Sequence, residues 1–166
     1  MDNSKERSVC FTGHRNIKRE DLAALTDRLD VLIDRCAEKG YTNFIAGGAV
    51  GFDTLAAKRV LEAKRRNPDI TLELILPCRD QTSRWKNLDD INTYRDLKGE
   101  ADRVEYLQIF YDADCMMKRN MKMVDSSSVC ITYFNGKSGG TANTVEYAKR
   151  QGLKVINLYR DEYNSK

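Results

Sequence analysis

A chain of 166 residues can bury about 70% of the surface its unfolded form exposes, and a single domain over residues 1–166 accounts for all of it. With 28 Lys and Arg against 25 Asp and Glu, the net charge of +3 is too small to imply nucleic acid by itself and leaves the partner open; because no clear aromatic and basic stripe is present either, nucleic acid is not expected as a partner. Five cysteines without a Cys-x-x-Cys pair and a single histidine argue against a zinc site or a disulfide framework, and no apolar run approaches the ~20 residues of a membrane span; a cytoplasmic protein with reduced thiols, no metal and no membrane contact is expected.

In chain order, strand-like and helix-like patterns alternate. Ser8 to Thr12 is a short apolar run that meets Gly13; Leu22, Leu25, Leu29, Leu32, Ile33 and Cys36 then recur at helical spacing until Gly40. Asn43 to Ala46 leads into a glycine-rich turn, and Leu55, Ala56, Val60 and Ala63 give the following helix its inner stripe, ending before Pro68. Ile70 to Leu76 is a third strand closed by Pro77, which cannot donate to a sheet ladder. The polar stretch from Cys78 through Gly99 reads as part loop and part helix. Val104 to Leu107 is a fourth strand, and Ala113, Met116, Met117, Met121 and Val124 mark a helix with the methionines mostly inward. Val129 to Phe134 is a β-branched and aromatic strand, followed by a second glycine turn, a helix carrying Ala142, Val145 and Ala148, and a last strand from Lys154 to Leu158. This alternation, with near-continuous apolar strands, predicts an α/β fold: a Rossmann-like three-layer sandwich around a mostly parallel sheet.

Open sheets of this kind bind ligands at the carboxyl ends of their strands. Three turns should meet there: Thr12-Gly13-His14-Arg15, Gly47-Gly48-Ala49-Val50-Gly51-Phe52-Asp53, and Ser138-Gly139-Gly140-Thr141. Glycine lets backbone approach a ligand closely, and a helix starting just after it offers unpaired N–H groups to an anion. A ligand with phosphates is the reading, although no turn has the G-x-G-x-x-G spacing or ends in Gly-Lys-Ser/Thr, which disfavours ordinary NAD dehydrogenase or ATPase chemistry.

These turns, with Lys118-Arg119-Asn120-Met121-Lys122-Met123-Val124-Asp125 and the run from Gly139 through Ala148, resemble the YpsA-like branch of the SLOG superfamily over nearly the whole chain. That superfamily also holds the DNA-processing Smf/DprA proteins and the LOG phosphoribohydrolases. The resemblance implies a pocket for nucleotides or derivatives such as ADP-ribose, in proteins many of which look like sensors. In LOG enzymes an arginine and the glutamate of a PGGxGTxxE motif act on the N-glycosidic bond. Arg119 is similar to that arginine, and is the one catalytic candidate. The glutamate position falls on Thr144, and Glu146 lies about 200° further round a helix, so neither supplies the carboxylate such hydrolysis needs; a carboxylate from elsewhere, Asp53 for example, is the remaining candidate, though it is better placed to cap a helix or hold a ribose hydroxyl.

Taken together, the ligand-binding candidates are Gly13, His14, Arg15, Gly47, Gly48, Ala49, Gly51, Asp53, Arg119, Gly139, Gly140, Thr141 and Thr144, with Asp53 capping the helix after it or holding a ribose hydroxyl and Trp85 stacking on a base. The expected function is binding of a nucleotide-like small molecule whose occupancy is passed to a protein partner, with no required cofactor and a homodimer as the default assembly. Hydrolysis of nucleoside monophosphates is the alternative, and single-stranded nucleic acid binding of the DprA kind ranks third.

Overall fold

Strands form where apolar residues run without interruption, and helices where they recur every third or fourth residue. The computed structural model describes residues 4–160, so both ends of the expected 1–166 domain lie outside the described residues. Six strands, β1 (Ser8–Gly13), β2 (Asn43–Ala46), β3 (Thr71–Leu76), β4 (Arg103–Tyr106), β5 (Val129–Tyr133) and β6 (Lys154–Asn157), alternate with five helices, α1 (Leu22–Glu38), α2 (Phe52–Arg66), α3 (Leu88–Glu100), α4 (Cys115–Asp125) and α5 (Gly140–Arg150). Every strand pairing is parallel, and the strand order is β4-β3-β2-β1-β5-β6. The fold is therefore the α/β Rossmann-like architecture expected, and its sheet is wholly rather than mostly parallel. No helix among the described residues is long and apolar enough to cross a membrane.

Side chains of a strand point alternately to the two faces, and the two cores follow that period. Val9, Phe11, Phe44, Leu72, Leu74 and Ile131 pack with Leu25, Leu29 and Ile33 of α1, Ala56 and Val60 of α2 and Leu97 of α3. Cys10, Ile45, Ile75 and Cys130 pack on the other face with Met123 and Val124 of α4 and Ala148 of α5. All five cysteines are buried and free. The edge strand β4 is mostly exposed, which accounts for its weaker apolar signal.

The chain runs β1 to β4 toward one edge and then returns to place β5 on the other side of β1. Beyond the carboxyl ends of β1 and β5 the connections diverge, which is where an open sheet leaves a crevice. The turns after β1, β2 and β5 all open there.

The phase of α4 differs from the expected one. Its buried residues are Cys115, Arg119, Met123 and Val124, whereas Met121 is exposed and Met116 and Met117 are half-buried. Positions 115, 119 and 123 form one stripe at helical spacing, and an arginine occupies its middle.

Candidate functional site

A cleft of about 420 Å³ lies at the carboxyl edge of the sheet. That is within the range of small-molecule sites, about 300–1,000 Å³. The turn after β1 contributes Thr12, Gly13 and Arg15, the turn after β2 contributes Ala49, Val50 and Asp53, and the start of α5 contributes Gly140 and Thr141. Three separate turns thus share one cavity, as their position after parallel strands requires.

The first two turns are interlocked by backbone. Phe52 N–H donates to the His14 carbonyl over 3.1 Å. Gly51 sits at φ +94°, and a Cβ there would lie 2.2 Å from the Arg15 carbonyl oxygen, so only glycine fits. A Cβ on Gly47 would fall 2.5 Å from Arg119 Nη1 and 2.8 Å from Asp53 Oδ2. Gly47 therefore threads between two buried charges, while Gly48 packs against Leu76 and Tyr94.

Arg119 is 2% exposed and donates through Nη1 to the Gly47 carbonyl and through Nε to Asn120 Oδ1. Asp53, the second residue of α2, does not cap that helix; it accepts from the Gly47 and Ala49 N–H groups and faces the Arg119 charge. Burial pushes the Asp53 carboxyl up to about 6, against the opposing pull of Arg119 and the two N–H donors. Burial likewise draws the Arg119 guanidinium below its ordinary value, opposed first by Asp53. Both partners shift in the sense that disfavours their charges, so desolvation outweighs attraction and the pair is held at a net cost. Both groups lie on the wall of the cleft, which makes them candidates for its chemistry.

A second stretch of wall comes from the loop between β3 and α3, with Asp80, Gln81, Ser83, Arg84 and Trp85, and from Tyr111. Tyr111 N–H donates to Asp80 Oδ1 over 2.9 Å and Arg79 N–H to the Ile109 carbonyl over 3.0 Å, which ties the segment before α4 to this loop. The Arg84 guanidinium stands 5.2 Å over the Tyr111 ring, and Trp85 meets Tyr94 edge-on at 5.3 Å. Met116 and Asn120 of α4 complete the lining.

Of the residues singled out from the sequence, Gly13, Arg15, Ala49, Asp53, Trp85, Arg119, Gly140 and Thr141 are brought together on the cleft wall. Gly47, Gly48 and Gly51 shape the wall from behind, and Gly139 precedes the first residue of α5. His14 is placed elsewhere. It borders a smaller hollow with Lys18, Tyr133 and Tyr159; its Nε2 accepts from Asn135 N–H over 2.8 Å, and burial lowers its pKa. Thr144 is 2% exposed and donates from Oγ1 to the Gly140 carbonyl, so it supports the start of α5 and does not line the cleft.

Sequence reasoning passed over Gln81, Tyr111, Met116 and Asn120. The β3–α3 loop has no glycine signature, and its one signal was Trp85 beside Arg84. Tyr111 follows Ile109 and Phe110 just past a strand, a short apolar run in a polar context that no helix or strand absorbs.

The sequence model of the YspA SLOG family matches residues 9–159. The SPbeta prophage-derived protein YoqJ of Bacillus subtilis is 29% identical over 150 residues, covering 82% of this chain and 87% of that protein. Among solved structures, DNA processing protein A of Streptococcus pneumoniae superposes with a TM-score of 0.70 at 13% identity, covering 97% of this chain, which spans only 53% of that one. DNA processing protein A of Helicobacter pylori, whose structure concerns its single-stranded DNA binding mode, gives 0.67 at 15% identity over 96% of this chain and 68% of that one. At these identities the structural likeness speaks to the fold.

Proposed function

Starting from the fact that this chain belongs to the YspA SLOG family, we propose that it binds a nucleotide or nucleotide derivative in the cleft and acts as a regulatory module rather than a catalyst. The observation that carries this reading is the division of one cavity into an anion-suited end and an aromatic end. Gly13, Arg15, Gly140 and Thr141 supply a guanidinium and the N-terminus of an eleven-residue helix. The first N–H groups of that helix have no intrahelical acceptor and favour negative charge. Trp85 and Tyr111 supply faces for a base. The loop after β3 and the turn after β5 are three strand intervals apart, about 14 Å at ~4.8 Å per interval, a span that suits a nucleotide from base to phosphate.

AMP, ADP and ADP-ribose should each be tested by thermal shift. A ligand at a hundredfold excess over Kd stabilises the native state by about 2.7 kcal/mol, which for a chain of this length raises Tm by about 5–10 °C. No shift with any of them at millimolar concentration would sink the reading. Incubation with AMP is expected to release no adenine above background by chromatography, because Thr144 is buried behind the cleft and supplies no carboxylate. Release that disappears in Arg119→Ala while AMP binding is retained would overturn the non-catalytic half.

Arg84, Trp85 and Tyr111 also favour a second reading, single-stranded nucleic acid, since aromatic faces interleaved with cations are what such strands stack on. The DprA likeness directs attention to it despite the modest net charge. An oligothymidylate whose affinity falls steeply between about 50 and 200 mM salt, and which AMP displaces, is the result that would support it.

A further inference from the structure

The sheet is open along β4. That strand bonds β3 on one side only, and Arg103, Val104 and Glu105 are exposed. The outward N–H and C=O groups of such an edge are a template for another strand, and charged side chains ordinarily deter the pairing. Here the charges are opposite in sign and two residues apart, so both project from one face of the strand while Val104 and Tyr106 project from the other. Neither Arg103 nor Glu105 makes an ion pair among the described residues. The opposite edge, β6, carries Lys154 as its one charged residue and offers no such match.

We infer that β4 pairs antiparallel with β4 of a second copy about a two-fold axis through Val104, joining the two six-stranded sheets into one. Two registers of such a pair match three residues of each four-residue strand. The register centred on Glu105 sets the two glutamates directly opposite each other, which repels. The register centred on Val104 sets Arg103 opposite the partner's Glu105 and Glu105 opposite the partner's Arg103, two ion pairs related by symmetry, with valine against valine between them on the other face. The strand is therefore complementary to itself in one register and excludes its neighbour. Beyond the strand, Ile109 and Phe110 are 58% and 72% exposed, and in this register their loop runs on past the partner's Ala101, which adds apolar surface to the contact. A contact of this length belongs to the small, transient class, below about 1,200 Å² in total, so the dimer is expected to dissociate on dilution. The pairing is independent of what the cleft binds.

The test is sedimentation velocity of the full chain across the micromolar range, where the parent is expected to pass from monomer to dimer. Arg103→Glu and Glu105→Arg should each remain monomeric at concentrations that make the parent dimeric, because each sets like charges opposite one another at both symmetry-related positions. Mixed in equal amounts, the two variants should form a heterodimer, since the acidic strand of one then meets the basic strand of the other. Misfolding of either variant could not produce that recovery. A parent that stays monomeric at the highest concentration, single variants that dimerise as the parent does, or a mixture that stays monomeric would each overturn the assignment.

Discussion

Replacing Arg119 by methionine is expected to lower stability by about 3–5 kcal/mol at pH 8, the range for removing one member of a buried ion pair. The variant loses the donations to the Gly47 carbonyl and to Asn120, and it leaves Asp53 buried without its counter-charge. At pH 5 the loss should be smaller, because the abandoned carboxyl takes up a proton instead of remaining a bare anion. Asp53→Asn should behave differently. The folded value of about 6 lies above the ordinary 3.8, so the folded state binds the proton more tightly than the unfolded state does. The stability this confers is fully present below pH ~4 and declines by about 3 kcal/mol as pH rises through 6. Asparagine carries no charge at any pH, and Arg119 keeps its two neutral acceptors. The variant's stability relative to the parent should therefore rise by about 3 kcal/mol across pH 4–6, on top of a pH-independent loss from leaving Arg119 buried without its counter-charge. Urea denaturation of the parent and both variants at pH 5 and 8 measures this. A difference between Asp53→Asn and the parent that stays the same at pH 5 and pH 8 would mean that burial does not raise the Asp53 carboxyl, and the argument from desolvation would fail.

The glycines should separate into two kinds. Gly51→Ala is expected to cost about 2–4 kcal/mol, since it places a Cβ at φ +94° and 2.2 Å from the Arg15 carbonyl oxygen, with backbone on both sides of the collision. A drop of roughly 5–15 °C in Tm would follow. Gly140→Val should leave Tm near the parent's, because a Cβ there meets nothing within 4 Å and valine suits a helix at least as well as glycine does. It should nevertheless abolish stabilisation by AMP, since the isopropyl group stands on the cleft wall at the first turn of α5, where the N–H groups must meet the phosphate. An unchanged AMP response in Gly140→Val would remove the second glycine turn from the site, and a folded, unperturbed Gly51→Ala would contradict the interlocking of the first two turns.

Much of this was open to reading in the chain itself. The run Val129 to Phe134 carries apolar side chains on both sides of the pleat, as a strand of a sheet covered on both faces does, and its alternation with helical runs points to a parallel, helix-flanked architecture. Glycines at strand-to-helix junctions pointed to the edge where the cleft lies for a related reason: φ and close approach are properties of single residues, visible one position at a time.

What the sequence could not decide are the quantities that depend on neighbours far along the chain. Arg119 stands out in the sequence through the family resemblance, but its burial cannot be read there, because the periodicity of Met116, Met117 and Met121 suggests a different inner face. Only the packing of α4 against the sheet places 115, 119 and 123 inward and sets the guanidinium against Asp53 and the carbonyl of Gly47, 72 residues away. Thr144 and His14 stand within motif segments, yet the Thr144 hydroxyl donates to the nearby Gly140 carbonyl and His14 accepts from the N–H of Asn135, 121 residues away, which gives both supporting roles. Gln81 and Tyr111 lie in loops with no periodicity to read, and they reach the cleft because β3 and β4 are adjacent strands whose following loops pair through Asp80 and Arg79. Patterns of burial along a strand or helix are set by local geometry and survive in one dimension; the desolvation of a charge and the sharing of a cavity are set by what the fold brings alongside, and they exist only in three.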